Sequence, residues 1–217
     1  MLYLKGGSIV KYPYKPKVDF MGEERDYAIF IPILLPKYTS HLPLSAPHLL
    51  FEVRSSTLRH QPSEICFPGG KIEQGETPEI AAIRETSEEL LLNPRQIELL
   101  TPSNLIVTPQ NRVLYPYLGF LHEYEGTYSK DEVAETFLVP LSYFETTKPT
   151  IYYNQVTISA PSNFPLSKMP NKTSYRFENG KYPVPFYEYQ NRTIWGITAR
   201  IIQAMLPRLE VLKYELY

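Results

Sequence analysis

The chain has 217 residues, 22 Lys plus Arg against 23 Asp plus Glu, and a formal net charge of −1. That balance excludes a polybasic surface for nucleic acid and an acidic solvating tail, so affinity for an anion must come from a local site. With one Cys there is no intramolecular disulfide, and no run nears the roughly 18 apolar residues of a membrane span, so a cytoplasmic protein with neither nucleic acid nor membrane as partner is expected.

At this length one core is expected, and the 21 Pro and 18 Tyr point to strands, turns and aromatic packing rather than a helical bundle. Residues 1–25 mix Pro13, Pro16, Gly6 and Gly7 without periodicity and read as an arm holding one short strand. The apolar runs 26–35 and 48–54 read as core strands joined by a Pro-rich connection. Phe67 is followed by Pro68-Gly69-Gly70, which ends a strand and permits unusual backbone angles. Thr77-Pro78-Glu79 then supplies a cap, a first-turn Pro and a first-turn acid, predicting a helix that stops near Leu92 before Asn93-Pro94. Residues 97–107 and 113–121 read as strands and 132–144 as a strand leading into a turn. The Pro-, Tyr- and Asn-rich stretch 148–190 reads as irregular strands and loops. A last helix is predicted over 193–206, apolar around most of its surface and therefore buried, with Trp195 more often core than a stacking platform in such a setting.

Chemistry is concentrated in the first helix. Glu85, Glu88 and Glu89 are separated by three and four positions, which places them on one helical face. Unpaired, they repel by roughly 0.2–0.5 kcal/mol per like-charged neighbour, and a hard divalent cation supplies the reason to gather them. Mg2+ takes oxygen ligands and commonly keeps waters or substrate phosphates in its remaining positions, which suits chemistry on a phosphate. Arg84 can hold Glu88 one turn on, and Glu76 can reach back from the preceding loop. The ordinary alternative is a solvated acidic face. Against it stands the spacing Gly-x5-Glu-x7-Arg-Glu-x2-Glu-Glu, which arises by chance in roughly one chain of this length in 10⁵. Cys66, inside an apolar run, reads as a core thiol and His60 as a surface residue.

Gly70, Glu76, Arg84, Glu85, Glu88, Glu89 and Leu92 resemble the Nudix box, Gly-x5-Glu-x7-Arg-Glu-U-x-Glu-Glu-x-Gly-U with U aliphatic. Thr86 stands where an aliphatic is usual and Leu91 where Gly is usual, and Asn93 is expected to supply the left-handed closure instead. The resemblance implies an α/β fold, a Nudix-type α/β/α sandwich with a mixed β-sheet and a loop-helix-loop metal site. It implies hydrolysis of a nucleoside diphosphate linked to another moiety. The domain is expected over 26–217, with an insertion at 148–190. Upstream, Arg54, Ser55, Arg59 and Phe67 through Gly70 are similar to the coenzyme A pyrophosphatase branch, from which Phe51, Glu52 and Ser63 depart. Glu132 to Leu141 and Ile194 to Arg200 also resemble that branch.

On this reading Glu85, Glu88 and Glu89 hold Mg2+ or Mn2+, while Arg54, Arg59, Gly69, Gly70 and Lys71 meet the substrate's phosphates. Arg84 belongs to the catalytic set, and a box glutamate, Glu132 or Glu135 takes the proton from the attacking water. Coenzyme A would give 3′,5′-ADP and 4′-phosphopantetheine. The alternatives are a hydrolase for ADP-ribose, NADH or a dinucleoside polyphosphate, and a nucleotide-sensing module without turnover. Homodimerisation is common among similar proteins and is not visible in these residues.

Overall fold

The computed structural model describes residues 3–5, 8–10, 25–39, 41–171 and 174–209. In the arm, β1 (Tyr3–Lys5) pairs antiparallel with β2 (Ser8–Val10), two short strands where one was expected. The chain continues through β3 (Arg25–Leu34), β4 (His48–Arg54), β5 (Ile65–Cys66), β6 (Gly69–Lys71) and α1 (Pro78–Leu90). It then forms β7 (Ile97–Pro102), β8 (Ile106–Val107), β9 (Arg112–Leu121), β10 (Val133–Pro140) and α2 (Leu141–Thr146). Last come β11 (Thr150–Val156), β12 (Gly180–Tyr189), β13 (Arg192–Trp195) and α3 (Gly196–Leu209).

The main sheet has the order β10-β4-β3-β9-β7, with β5 on β4, β6 on β3 and β8 on β9. Its β3–β9 pair is parallel and the other pairs are antiparallel, so the sheet is mixed as expected. Period-two alternation along β3 explains the two layers that cover it. Ala28, Phe30 and Leu34 pack with Ala81, Ala82 and Leu90 of α1, whereas Ile29, Ile31 and Ile33 pack with Phe144 of α2 and Ile202 and Met205 of α3. Each of the larger side chains, Ile, Leu, Phe and Met, contributes about 1.5–3 kcal/mol of apolar burial, so removing either layer would expose a large part of the core.

Helix α1 begins as its sequence dictates: Thr77 accepts a hydrogen bond from the Ile80 N–H, and Pro78 occupies the first helical position. Thr86, in place of an aliphatic, is fully buried and donates its hydroxyl to the Ala82 carbonyl at 2.7 Å. The helix end corrects the expectation for Asn93. Leu91 itself takes the left-handed conformation, at φ 54 and ψ 46, and Asn93 has an ordinary φ of −73 while capping the short turn Pro94–Gln96. The buried neighbours Leu90 and Leu92 fix where the chain must turn, so the strained angle falls on the residue between them. Because Leu91 is 60 % exposed, replacing it loses little burial. Leu91→Gly is expected to stabilise the fold by about 1 kcal/mol and raise the Tm by roughly 2–4 °C in thermal unfolding. An unchanged Tm would remove this account of the cap.

Two further expectations change in the last third. The stretch 148–190 contains regular strands, β11 of 7 residues and β12 of 10, which form a three-stranded antiparallel sheet with β13. Pro183 and Pro185 are accommodated because β13 pairs with β12 only from Phe186 onward, leaving β11 as the one strand paired with the prolines among the described residues. The final helix starts at Gly196, not at 193: pairing of Trp195 with Phe186 and Ile194 with Tyr187 draws Arg192–Trp195 into the sheet. Gly196, at φ 63, makes the break. Trp195 is consequently not a core helix residue but a 41 % exposed strand residue.

Candidate active site

The box is assembled where β6 lies against the C-terminal half of α1. A Cβ on Gly69, which has φ 145, would stand 2.3 Å from the Ala28 carbonyl oxygen, and one on Gly70 would stand 2.3 Å from the Glu85 carboxylate. Glycine at both positions therefore lets the backbone of β6 lie against β3 on one side and the helix carboxylates on the other. The Gly69 N–H donates to Glu89 Oε2 at 2.8 Å, which fixes a side chain that is only 4 % exposed.

Arg84 organises the remaining acids. Its Nε and Nη2 donate to the two oxygens of Glu76 at 2.8 and 3.0 Å, its Nη1 donates to Glu85 at 2.8 Å and Glu88 at 3.3 Å, and Nη2 also reaches the Lys71 carbonyl at 3.1 Å. The fork on Glu76 holds that carboxyl at about 2, below the usual range, with the Glu73 backbone N–H assisting. Burial pushes Glu85 upward, and its bond to Arg84 opposes that shift.

A cleft of about 530 Å3 opens in front of this assembly. Gly69, Gly70, Lys71, Arg54, Glu85 and Glu89 line it together with Glu132. Of the three helix acids, Glu88 is not among the residues lining the cleft, and its side chain is 56 % exposed beside Arg84. Helical geometry gives the reason: Glu89 lies about 40° from Glu85 around the axis and Glu88 about 60° on the other side. Among the described residues no three His, Cys, Asp or Glu side chains stand together as a metal-holding group.

The other expected positions divide. Arg54 lines the cleft and Arg59 does not. Glu132 lines it from the turn before β10, whereas Glu135 lies outside it and is held by Arg192 at 2.5 and 3.1 Å. Cys66 and His60 also contribute to the lining, so Cys66 is a wall residue rather than a deep core thiol. Desolvation still pushes its thiol well above the ordinary value, the opposite of what a nucleophile needs.

Sequence reasoning passed over Arg112, which reaches the cleft from β9, whereas Tyr182, from β12, belongs to the Tyr-rich 182–189 stretch that the sequence offered as a stacking surface for an adenine. It also passed over Glu52 except as a departure from a pattern. Glu52 is 1 % exposed on β4, opposite Cys66 of β5, and its Oε1 has no hydrogen-bond partner among the described residues. Burial raises its pKa well above the usual carboxylate value, and the nearby charges of Glu89 and Glu132 push the same way against Arg54. An acid inside the apolar run Leu49-Leu50-Phe51-Glu52-Val53 was the available signal.

The pattern of the NUDIX domain matches residues 41–154, a stretch that contains the box, the diglycine and Glu132. The chain belongs to the Nudix family. With the fold and the box in place it is a pyrophosphohydrolase of that family. Over 130 residues it is 39 % identical to the peroxisomal coenzyme A diphosphatase NUDT7 of Mus musculus, a match covering 57 % of this chain and 54 % of the mouse protein. This similarity thus spans about half of the mouse protein's length. A Nudix hydrolase NudL of Photorhabdus laumondii is 28 % identical over 205 residues, covering 93 % of this chain and 94 % of that one. Among solved structures, a MutT/nudix family protein of Enterococcus faecalis superposes with a TM-score of 0.49 at 15 % identity, covering 90 % of this chain and 66 % of that chain. Among the described residues no helix is long and apolar enough to cross a membrane.

Proposed function

We propose that this Nudix hydrolase cleaves the diphosphate of coenzyme A or its thioesters, giving 3′,5′-ADP and 4′-phosphopantetheine or its acyl form. The observation that carries the reading is that Arg54, Phe67, Gly69 and Gly70, from the upstream segment resembling the coenzyme A branch, line the same cleft as Glu85 and Glu89. The similarity to a mouse coenzyme A diphosphatase supports it. Residues 26–217 act on this reading as one hydrolase domain.

Arg54, Lys71 and Arg112 bring positive charge to the cleft and would take the oxygens of a diphosphate, Arg with a planar fork and Lys as a point charge. Glu85 and Glu89 fit a divalent cation such as Mg2+ or Mn2+, since both are desolvated carboxylates facing one cleft, and such ions commonly bind one or two carboxylates with phosphate and water completing the shell. When bound, the cation supplies charge neutralisation at the phosphoryl oxygens and lowers the pKa of water. Glu88 acts through Arg84, which it helps to hold. Glu132, the acid on the wall facing the box, accepts the proton of the attacking water. The water oxygen bonds to one phosphorus, the bridging P–O bond breaks, and its electron pair leaves with the second phosphate.

Incubating the protein with coenzyme A, ADP-ribose and NADH separately, with Mg2+ or Mn2+, and weighing the products tests the reading. 3′,5′-ADP from coenzyme A is the expected result. Turnover of ADP-ribose or NADH alone would discard the coenzyme substrate and keep the hydrolase.

A further inference from the structure

We propose that the Tyr182 hydroxyl binds a phosphoryl oxygen of the substrate and that Arg200, behind it, is the positioning residue that aims it; this rests on the hydrolase reading above. Tyr182 lines the cleft from β12, whereas Arg200, on α3, is not among the lining residues. Arg200 Nη1 donates to the Tyr182 hydroxyl oxygen, and the guanidinium stands over the ring at 4.5 Å from its centroid. A guanidinium has donors only, so the phenol oxygen must accept in this contact, and its own O–H remains to donate elsewhere. The hydrogen bond and the cation–π contact together fix the position and tilt of a half-buried ring. Since Arg200 covers one face of that ring, what the pair leaves ready for a ligand is the hydroxyl.

The surroundings select the acceptor. Thr198, the other hydroxyl that α3 and the three-stranded sheet bring to the cleft, already donates to the Ile65 carbonyl at 2.9 Å. The residues of β11, β12, β13 and α3 that line the cleft include no carboxylate; its acids come from other elements. Arg200 is half-buried and has no ion-pair partner among the described residues, so its charge favours an anion on the cleft side of Tyr182. A cation on the phenol oxygen also makes the O–H a stronger donor. The strongest acceptor that a nucleotide offers such a donor is a phosphoryl oxygen. A diphosphate and a separate phosphate monoester share this chemistry.

Calorimetric titration in EDTA, where turnover is prevented, reads the contact directly. ADP carries the diphosphate alone, and adenosine 3′,5′-bisphosphate carries monoesters alone. Tyr182→Phe, which removes only the hydroxyl, should weaken ADP about ten-fold where the diphosphate is the partner, and the bisphosphate alone where a monoester is. Adenosine should bind the variant as it binds the parent. Tyr153→Phe, at an exposed tyrosine outside the cleft lining, should change nothing. Arg200→Met should cost the same factor as Tyr182→Phe, and adding it to Tyr182→Phe should cost no more, because Arg200 acts only through the hydroxyl. A further loss in the double variant would overturn the positioning role. Unchanged affinity of Tyr182→Phe for both nucleotides would overturn the phosphate contact, as would an equal loss for adenosine. In turnover, Tyr182→Phe should raise the KM for coenzyme A and leave kcat unchanged, as removal of uniform binding does. Because the titration needs no hydrolysis, the ten-fold loss in a protein that cleaves none of the three diphosphates leaves the contact and removes the hydrolase reading. Coenzyme A cleavage with an unchanged KM in Tyr182→Phe does the reverse.

Discussion

Glu89→Gln is expected to lower coenzyme A hydrolysis by on the order of 10²–10³-fold, the loss that follows removal of one fixed electrostatic group from an active site. The side chain is nearly fully buried, faces the cleft, and is fixed by the Gly69 N–H at 2.8 Å, so its charge is held where the diphosphate would lie. The amide keeps the volume and can still accept that hydrogen bond through its oxygen, so the variant should remain folded. Mn2+ binding, followed by the electron spin resonance of the free ion, should weaken in parallel. A rate within ten-fold of the parent, with unaltered Mn2+ affinity, would remove Glu89 from the site. Glu88→Gln provides the contrast: its side chain is exposed and outside the cleft lining, so the loss should be smaller and should come through Arg84.

Glu52→Gln should stabilise the metal-free protein at pH 8 by about 1–3 kcal/mol, because it removes a buried carboxylate with one oxygen lacking a hydrogen-bond partner among the described residues. For a chain of this size that is a Tm rise of roughly 2–4 °C per kcal/mol. The pH dependence has a definite sign. Burial raises the Glu52 pKa in the folded state above the ordinary 4.5, so the folded protein keeps a proton that the unfolded chain releases. The carboxyl costs nothing below about pH 4.5, and its cost grows as pH rises through the folded value. Melting curves of parent and variant in EDTA should therefore coincide near pH 4.5 and separate steadily toward pH 8. A variant that melts lower at pH 8 would mean that the carboxylate has a stabilising partner there, and would sink the argument.

Several elements were legible because their signals are local. The cap Thr77, the first-turn Pro78 and the spacing of Glu85 and Glu89 define α1 and its acids whatever surrounds them, and the apolar runs at 26–35 and 48–54 are recovered as β3 and β4 within one residue. The box spacing, read together with the diglycine, was enough to reach the family and the mixed α/β fold. Where local rules conflicted with packing, packing won. Asn93 is the better left-handed residue by propensity, yet the buried pair Leu90 and Leu92 forces the turn onto Leu91. Thr193 to Trp195 continue the helical pattern, yet cross-strand pairing with Phe186 and Tyr187 takes them into a sheet.

What the sequence by itself determined is the chemistry available: a box of acids ordered by Arg84, a diglycine that admits close backbone approach, and basic residues upstream. Only the tertiary structure decided which of these face one another. A helix fixes the angles among its own residues, so Glu85 and Glu89 could be paired from spacing, but what stands opposite them depends on contacts between segments far apart in the chain. Long-range pairing brings Glu132, Arg112 and Tyr182 to the cleft, leaves Arg59 and Glu135 outside it, buries Glu52 behind it, and turns Trp195 outward beside it.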